Sequence, residues 1–509
     1  MRYILVSIIQ LAIYIYCCSC SGNSHDSDGN GHDCNCDCMV QWAVVAGGVG
    51  DDYPSDIHVS PEGSILITGA ISGEATFGEN DPNETVLSTQ GEYGVFVAKY
   101  GLDGKLTWAR SDGGDIGSQG NSISSSADGH SVVSGMFYGE AVFGSGEMNE
   151  TILNSEGSAD IFIASYDGDR SLRWAKQAGA SDIFPQNMND IGYAVFTALD
   201  GSSYITGCFR GTAVFGKGET NERILVATPM EVGPPFEEVF LAKYNPDGSL
   251  AWARSDGGSR YDCGYGVTAM ENGSSLVTGT FVYQATFGSG EPNEALIESE
   301  WYEDVFIARY SPDGILEWVS NAGGPGSEIG LEISVLSDGS FIVAGTYDGE
   351  ITFARGESNE ITFSPHSNYE MFIARYYPDG NLNWVKTTIG SGSAGAGSLF
   401  VGADGSFVVA GGLKGEETFG LGEQNETTLL SSGEGDVFVA SYDEEGSLKS
   451  ACRIGGVLHE NHPSISRVSD SVYLAGSFPS IMDIKYGEGD FGQIVSHGML
   501  DIFLLKIRI

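Results

Sequence analysis

Basic residues are scarce in this 509-residue chain, which carries 24 lysines and arginines against 69 aspartates and glutamates. The formal net charge at pH 7 is therefore -45. A surplus of negative charge of this size repels nucleic-acid phosphates and anionic lipid surfaces. We therefore expect no nucleic-acid partner, and we interpret the acidity as a property that keeps a secreted or surface protein in solution.

Cysteine and histidine are also sparse, with nine and eight residues in the whole chain. Beyond residue 40 the cysteines reduce to Cys208, Cys263 and Cys452, an odd number that share no position in the chain's repeat. This pattern indicates no disulfide framework and predicts three small buried side chains. The histidines recur at no repeat position and form no Ser/His/Asp or Cys/His grouping. The sequence therefore indicates no catalytic residues, no metal ligands and no cofactor.

Long apolar runs are missing apart from residues 3–16, near the start of the chain. A run of this length is too short to span a bilayer and is typical of a signal peptide. Cysteines follow at once, so the segment resembles a bacterial lipoprotein signal, in which a cysteine becomes the lipidated first residue. Cys20, preceded by the small Ser19, is the expected attachment site. We expect residues 1–20 to direct export and a lipid anchor to be the one membrane contact, with ordinary cleavage and secretion as the alternative.

Residues 21–40 are polar and glycine-rich, with almost nothing apolar to bury. This composition is typical of a flexible tether. The same segment places Asp26, Asp28, Asn30 and Asp37 at the spacing of a calcium-binding loop. Because a linker rich in Asp, Asn and Gly produces such a spacing by chance, the tether is the preferred interpretation and calcium binding is the alternative.

Two aromatic residues recur through the rest of the chain, mostly 66 residues apart. A phenylalanine lies in a strand-like apolar segment, the Phe strand, at Phe96, Phe162, Phe240, Phe306, Phe372, Phe438 and Phe503. A tryptophan lies in a second segment, the Trp strand, at Trp42, Trp108, Trp174, Trp252, Trp318 and Trp384, with Ser450 at the seventh place. The turn Pro312-Asp313-Gly314 between two such segments predicts a hairpin. Fixed self-similarity of this kind predicts a repeat architecture.

Each unit contains four apolar segments of strand length and no helical period, which predicts an all-β fold. One segment, the Gly strand, holds a glycine in every copy: Gly69, Gly135, Gly207, Gly279, Gly345, Gly411 and Gly476. A glycine inside a strand indicates close backbone approach, which we expect between one sheet and the next. In the first copy Ile65, Leu66 and Ile67 are apolar on consecutive positions, so both faces of the strand are expected to be buried.

Buried sheets of this kind predict blades stacked around an axis. A β-solenoid is the rival architecture, but its rungs are shorter and its ends need caps. If the Phe and Trp strands share a sheet, the chain begins with one lone Trp strand and ends with three strands, which together complete a sheet. Such an arrangement closes a ring and removes exposed edges. We therefore predict a seven-bladed β-propeller of four-stranded blades over residues 41–509.

The connection between the Gly strand and the Phe strand repeats a Gly-x-Gly-Glu-x-Asn-Glu segment, as in residues 144–150. We predict a polar turn, with a calcium loop as the alternative because of its side-chain oxygens. The unit between Trp174 and Trp252 has extra residues near Phe184 and Met230. Lengthened loops are frequent functional sites, although sequence drift is the preferred interpretation here.

Three motifs carry a family resemblance. The first is a Trp-Ala strand that leads into Gly-Gly, as in Trp252 to Gly258. The second is an Asp-Gly turn before an apolar strand that ends in Thr-Gly, as in Asp200-Gly201 before Thr206-Gly207. The third is Asp-x-Phe-x-Ala-x-Tyr from Asp304, followed by Asp313-Gly314. With these motifs, residues 41–509 resemble the bacterial SBBP-type β-propeller repeat proteins. The resemblance implies a propeller fold but no shared chemistry, because the family is defined by its repeat.

We therefore expect an exported, lipid-anchored, monomeric propeller at the outer membrane or cell surface, or otherwise outside the cell, that binds a protein or glycan ligand without enzymatic activity. The alternative is a hydrolase or lyase that acts on an extracellular polysaccharide. Such an enzyme needs two carboxyl groups about 5 to 10 Å apart, one of them with a raised pKa. The acidic residues of the predicted channel-mouth loops are the candidates: Asp51, Asp52, Asp115, Asp262 and Glu328.

Overall fold

The computed structural model describes residues 16–18, 39–179, 190–230, 235–432, 435–455, 461–486 and 490–508. All regular structure among these residues is β-strand, which confirms the predicted all-β fold. None of them forms a helix long and apolar enough to cross a membrane. Cys20, residues 21–38 of the predicted tether and the insertion around Phe184 lie outside the described residues.

Seven antiparallel sheets of four strands follow one another along the described residues. In each unit an inner strand pairs with the Gly strand, the Gly strand with the Phe strand, and the Phe strand with the Trp strand. The inner strands are Tyr53–Val59, Gly117–Ser125, Ile191–Thr197, Cys263–Ala269, Glu328–Val335, Ser393–Val401 and Asn461–Val468. The Gly strands are Ser64–Ile71, Ser131–Phe143, Ser203–Arg210, Ser275–Phe287, Phe341–Tyr347, Phe407–Lys414 and Ser471–Phe478. The Phe strands are Gly94–Gly101, Thr151–Tyr166, Glu237–Tyr244, Ala295–Tyr310, Glu370–Tyr376, Asp436–Tyr442 and Asp501–Arg508. The Trp strands of units 1 to 6 are Leu106–Gly114, Leu172–Ala178, Leu250–Gly258, Leu316–Ala322, Leu382–Thr387 and Leu448–Ile454, and that of unit 7 is Met39–Gly48.

A two-stranded ribbon lies between the Gly strand and the Phe strand of each unit, where the sequence predicted a polar turn. In units 2 and 4 it continues those two strands without a break. In the other units its strands are Glu74–Phe77 with Thr85–Ser88, Thr212–Phe215 with Arg223–Val226, Ile351–Phe353 with Ile361–Phe363, Glu416–Phe419 with Thr427–Leu430, and Ile481–Tyr486 with Asp490–Val495. Two short strands pair beside these elements, Ile389–Gly390 with Glu416–Phe419 and Tyr16–Cys18 with Leu448–Ile454.

The last sheet contains strands from both ends of the described chain. Met39–Gly48 pairs with Asp501–Arg508, with Ala46 opposite Ile502. The lone Trp strand near the start is therefore the fourth strand of the sheet whose other three strands come from the end of the chain, as the phase of the repeat predicts.

The sheets pack face to face, and alternate residues of one strand enter the cores on its two sides. Ile65 and Ile67 lie in one hydrophobic cluster with Tyr473 of unit 7. Leu66, between them, lies in another cluster with Val133 of unit 2. All three are at most 2 % exposed, which confirms that both faces of this strand are buried. Burial of an aliphatic side chain of this size contributes about 2 kcal/mol.

In units 1 to 6 the glycine of the Gly strand approaches the backbone of its own sheet. A Cβ atom on Gly279 would lie 1.9 Å from the carbonyl oxygen of Cys263 on the inner strand and 2.8 Å from the ring of Phe306. The prediction of a close approach is confirmed, but the predicted partner, a neighbouring sheet, is wrong. The cause is a β-bulge in the inner strand, between Gly264 and Gly266, which brings a backbone carbonyl towards the glycine.

In the six units whose Trp strand carries a tryptophan, this residue contacts the hairpin turn of the next unit. The indole Nε1 of Trp252 donates a hydrogen bond to the carbonyl oxygen of Pro312 at 3.0 Å. Gly314 in the same turn has φ +76°, and a Cβ atom there would lie 2.7 Å from the indole. The turn needs glycine because its backbone is left-handed and because the tryptophan occupies the space of a side chain.

A disulfide joins units 3 and 4, so the prediction of no disulfide is wrong. The Sγ atoms of Cys208 and Cys263 are bonded, and their Cα atoms are 4.9 Å apart. Cys208 lies on the Gly strand of unit 3, whereas Cys263 opens the inner strand of unit 4. Cys452 is also disulfide-bonded. The prediction failed because Cys208 and Cys263 occupy different positions in adjacent units and therefore leave no repeated cysteine pattern in the sequence.

The Gly-x-Gly-Glu-x-Asn-Glu segment folds back onto the backbone. Glu147 Oε2 accepts a hydrogen bond from the amide of Leu172 at 2.6 Å, and Asn149 Nδ2 donates one to the carbonyl oxygen of Leu172 at 3.1 Å. Glu150 Oε2 accepts a hydrogen bond from the amide of Gly146 at 2.6 Å. The same contacts recur in unit 4. The segment therefore attaches the ribbon to the Trp strand of its unit.

Candidate functional site

Residues of the inner strands of all seven units line one cavity of about 340 Å³, which we call the inner-strand cavity. Each inner strand contains a β-bulge, and the residue after it occupies an equivalent position in each unit: Asp56, Ser122, Ala194, Gly266, Glu332, Ser398 and Ser464. Apart from Gly266, these residues line the cavity and form one layer of its wall. The residue two positions further along each inner strand forms a second layer of the wall: His58, Ser124, Phe196, Thr268, Ser334, Phe400 and Ser466. Because side chains alternate along a strand, the residues between the layers, such as Ile57 and Ile333, pack between the sheets.

Asp56 connects three units within this layer. Its Oδ1 accepts hydrogen bonds from Ser464 Oγ at 2.9 Å and from the amide of Ile57 at 2.8 Å. Its Oδ2 accepts hydrogen bonds from Ser122 Oγ at 2.9 Å and from the amide of Ile123 at 2.8 Å. Burial raises the pKa of Asp56, and these hydrogen bonds oppose the shift. Asp56 thus joins unit 1 to units 7 and 2.

Glu332 occupies the equivalent position in unit 5 and lines the same cavity. Its side chain is half-buried because it borders the cavity, although it lies deep inside the protein. No described residue donates a hydrogen bond to its carboxyl group, and burial together with the nearby Asp56 raises its pKa well above the usual value. Glu332 is therefore a carboxyl group that the surrounding strands do not satisfy.

Aromatic side chains form part of the cavity wall. Tyr193 and Tyr265 lie at the bulges of units 3 and 4, with ring centroids 5.0 Å apart in an edge-to-face arrangement. The hydroxyl groups of Tyr265 and Tyr261 are 2.8 Å apart. Phe196 and Phe400 face the cavity from units 3 and 6. The wall therefore combines carboxyl and hydroxyl groups with ring faces, a composition typical of small-molecule sites.

Asp52 and Asp262, two of the acidic residues predicted for catalysis, bind backbone amides. Asp52 accepts hydrogen bonds from the amides of Gly48 at 2.7 Å and Ser72 at 2.9 Å, and Asp262 accepts the equivalent bond from Gly258 at 2.6 Å. Both side chains are 0 % exposed, and burial raises the pKa of Asp52 to about 6. These carboxyl groups hold the end of a Trp strand against the following inner strand.

Glu328, a third predicted residue, forms a buried pair with Asp304, which the sequence interpretation missed. Glu328 accepts a hydrogen bond from the amide of Gly324 at 3.0 Å, and its second oxygen and Oδ1 of Asp304 have no hydrogen-bond partner among the described residues. Burial, with Asp304 nearby, raises the pKa of Glu328 to about 8. Burial also raises the pKa of Asp304 to about 7. The two groups therefore resist simultaneous ionisation.

Asp51 is half-buried and Asp115 is exposed. Asp51, Asp52, Asp115 and Asp262 lie in the loops before the inner strands of units 1, 2 and 4, and Glu328 is the first residue of the inner strand of unit 5. The three buried ones each bind backbone amides near their own loop. Among the described residues, no group of three or more His, Cys, Asp or Glu side chains is placed to hold a metal ion. The calcium loop predicted from Asp26 to Asp37 lies outside those residues.

A second feature is an exposed group on unit 4 that we call the aromatic patch: Arg260, Tyr283, Trp301 and Tyr302. Trp301 is 65 % exposed, Tyr302 60 % and Tyr283 42 %. In the ribbon, Val282 pairs with Glu303 and Gln284 with Glu298, so residues 299–302 bulge out opposite Tyr283. The guanidinium carbon of Arg260 lies 5.4 Å from the centroid of the Tyr283 ring.

Unit 2 has the same bulge without the aromatic residues. In unit 2 Ser155 Oγ accepts a hydrogen bond from the amide of Gly139 at 2.8 Å, and in unit 4 Ser299 Oγ accepts one from Tyr283 at 2.6 Å. The residues at the bulge read Ser-Glu-Gly-Ser over 155–158 and Ser-Glu-Trp-Tyr over 299–302. Of the seven tryptophans of the chain, Trp301 alone stands outside the repeat, which is the signal that the sequence interpretation overlooked.

Comparisons with known proteins are consistent with a propeller-like repeat. No family model matches the chain. The chain is 21% identical over 271 residues to an uncharacterised WD repeat-containing protein of Acanthamoeba polyphaga mimivirus. The matched segment covers 48% of this chain and 19% of that relative. It is 28% identical over 188 residues to the regulatory protein FlaEY of Caulobacter vibrioides, covering 36% of this chain and 18% of the relative. The chain thus spans about a fifth of the length of these curated relatives. The WD-repeat likeness and the stacked antiparallel sheets support a repeat β-propeller.

Proposed function

We propose that the chain is an exported, non-enzymatic, seven-bladed β-propeller of the SBBP type that serves as a protein-interaction platform. The observation that carries the proposal is the aromatic patch, where Trp301 and Tyr302 stand exposed at a bulge that holds Gly157 and Ser158 in unit 2. An exposed aromatic group of this kind marks an interaction site, because burying it on a partner is favourable.

Contacts between the first and last units support closure of the sheets into a ring. The amide of Ile57 donates a hydrogen bond to Ser464 Oγ at 3.3 Å, and the amide of Val59 donates one to Ser466 Oγ at 2.9 Å. Equivalent bonds join units 2 and 3, where the amide of Thr197 donates to Ser124 Oγ at 3.0 Å. The strand Met39–Gly48 in the last sheet adds a second connection between the two ends.

A protein partner fits the composition of the patch. Tryptophan, tyrosine and arginine supply most of the binding energy at protein interfaces, and the patch combines all three. Glu298, Glu300 and Glu303 lie beside them on the same strand. The partner is therefore expected to present an apolar pocket with basic residues around it, and its association is expected to slow as salt is raised.

The disulfide between Cys208 and Cys263 supports export, because disulfides persist in oxidising compartments. A lipid anchor at Cys20 completes this part of the proposal. Mass spectrometry of the mature N-terminal peptide tests it: a diacylglyceryl group on Cys20 is the expected result. An unprocessed N-terminus on protein recovered from the cytoplasm would contradict both export and anchoring.

The absence of enzymatic activity is proposed because Asp52, Asp262 and Glu328 are 0 % exposed and bound to backbone amides, so a polysaccharide chain cannot reach them. The alternative, a hydrolase or lyase acting on an extracellular polysaccharide, is tested by incubating the protein with envelope glycans. Release of new reducing ends that is lost in Glu328→Gln would overturn the non-enzymatic proposal.

Affinity capture with the full chain tests the interaction surface. The variant Trp301→Gly with Tyr302→Ser copies the sequence that the same bulge carries in unit 2, so it removes the aromatic rings with little risk to the fold. The matched control is Tyr377→Ser, which removes an exposed tyrosine from a hairpin turn and copies Ser311 at the equivalent place in unit 4.

We expect one stoichiometric protein partner for the wild type and for Tyr377→Ser, and at least about tenfold weaker binding for the double variant, since aromatic anchors each contribute about 2 kcal/mol or more. Equal capture by all three proteins would remove the patch from the proposal. Capture of glycan in place of protein would replace the proposed protein partner by a carbohydrate.

A further inference from the structure

The inner-strand cavity contains a carboxyl group to which no described residue donates a hydrogen bond. Asp56 and Glu332 follow the bulges in equivalent inner strands. Asp56 accepts hydrogen bonds from Ser464, Ser122 and two backbone amides, whereas no described residue donates a hydrogen bond to Glu332. The carboxyl group of Glu332 borders the cavity and is half-buried, so it is open to a ligand that enters there.

Packing does not require a glutamate at this position. The equivalent residue is serine in units 2, 6 and 7, alanine in unit 3 and glycine in unit 4. These residues occupy the same position of the inner strand without a carboxyl group that lacks a hydrogen-bond donor. The glutamate is therefore better explained by something that enters the cavity than by the fold.

The charges in the cavity favour a cation. Among the described residues that line it, Asp56 and Glu332 are acidic and none is lysine or arginine. Burial lowers the pKa of His58 to about 4, so this imidazole is neutral at pH 7. A positive group placed beside Glu332 would stabilise its carboxylate form, whereas an anion would meet two carboxyl groups.

The remaining wall favours an organic cation over a metal ion. Tyr193, Tyr265, Phe196 and Phe400 contribute ring faces, which attract ammonium groups through their negative π surfaces. A calcium ion takes six to eight oxygen ligands, and the described residues contain no group of three acidic, His or Cys side chains arranged for a metal. The volume of about 340 Å³ is enough for a small molecule.

We propose that the inner-strand cavity binds a small organic ammonium ion, with Glu332 as its counter-ion and the rings of Tyr193, Phe196 and Phe400 as the apolar wall. This site is distinct from the aromatic patch. The two proposals therefore stand or fall separately.

Calorimetric titration of the full chain tests the proposal with two matched probes, choline and its uncharged isostere 3,3-dimethyl-1-butanol. We expect choline to bind at least about tenfold more tightly than the neutral alcohol, because the Glu332 carboxylate and the ring faces attract its quaternary ammonium charge and do not attract the uncharged isostere in this way. The variant Glu332→Gln keeps the shape and removes the charge, so it should lower choline affinity by a similar factor. Glu271→Gln removes an exposed carboxyl group outside the cavity and should change nothing.

If Glu332→Gln does not fold, Glu332→Ser copies the residue found at the equivalent position in units 2, 6 and 7 and provides the same test. Three results would each overturn the proposal. They are no heat of binding with choline up to millimolar concentrations, equal affinities for choline and the neutral alcohol, or unchanged choline affinity in the Glu332 variants. Saturable binding of calcium chloride that competes with choline would overturn the assignment to an organic cation.

Discussion

Replacing Glu328 with glutamine should stabilise the protein at neutral and alkaline pH. Glu328 is 0 % exposed, and one of its oxygens has no hydrogen-bond partner among the described residues. Glutamine has the same shape as the protonated acid and can still accept the hydrogen bond from Gly324. The substitution therefore removes the cost of ionising a buried group and keeps the contacts.

The size and pH range of the effect follow from the pKa of Glu328. Burial raises this pKa from 4.5 to about 8, so the folded protein holds the proton over a range in which the unfolded chain has lost it. The associated stability is fully present below about pH 4.5 and is lost as the pH rises to about 8. The penalty removed by glutamine is on the order of 3 kcal/mol at pH 7 and about 1 kcal/mol at pH 5.

Urea denaturation of wild type and Glu328→Gln at pH 5, 7 and 8.5 measures this difference. We expect the midpoint of the variant to exceed that of the wild type, with a gap that widens from pH 5 to 8.5. Glu271→Gln, at an exposed position, should show no such widening. A variant less stable than the wild type at pH 8.5, or a gap independent of pH, would refute the reasoning that a buried proton is held on Glu328.

Three further substitutions test how the units are joined. Gly314→Ala should destabilise the protein by about 1 kcal/mol or more beyond Gly290→Ala. Both glycines have nearly the same left-handed φ, +76° and +77°. A Cβ atom on residue 314 would meet the indole of Trp252, whereas a Cβ atom on residue 290 would meet nothing within 4 Å. Equal unfolding midpoints for the two variants would contradict this account. Cys208→Ser should lower the free energy of unfolding by up to about 4 kcal/mol, and the denaturation midpoints of wild type and variant should coincide when both are measured in reductant. A wild-type midpoint insensitive to reductant would show that the disulfide does not stabilise the fold. Asp56→Ala should lower the free energy of unfolding by about 2 kcal/mol or more, because hydrogen-bond donors in units 1, 2 and 7 lose their acceptor. Calorimetry should show a lower melting temperature. An unchanged melting temperature would argue against a role of this carboxyl group in joining the units.

The features that recur along the chain were predictable from the sequence. The period of the Phe and Trp strands predicted the units, and the consecutive apolar residues Ile65, Leu66 and Ile67 predicted burial on both faces. The phase of the repeat placed Met39–Gly48 with the last three strands. These predictions succeed because strand pairing and sheet packing are set by hydrophobic pattern and turn residues, which repeat with the unit.

The candidate sites were not predictable in the same way. The acidic residues Asp52, Asp262 and Glu328 were predicted for catalysis from their place in loops, but in the structure they are buried against backbone amides. A carboxylate in a loop has the same sequence signature whether it faces solvent or holds a strand end. Burial and hydrogen-bond partners make the difference.

The sequence by itself determined the repeat, the strand content and the order in which strands pair, because these depend on residues close together in one unit. Tertiary structure alone decided which residues of different units meet. Asp56 and Glu332 share one cavity although they lie in units 1 and 5, and Cys208 reaches Cys263 across a unit boundary. These contacts between units depend on how the sheets pack against one another. The sequence pattern within one unit does not predict that packing.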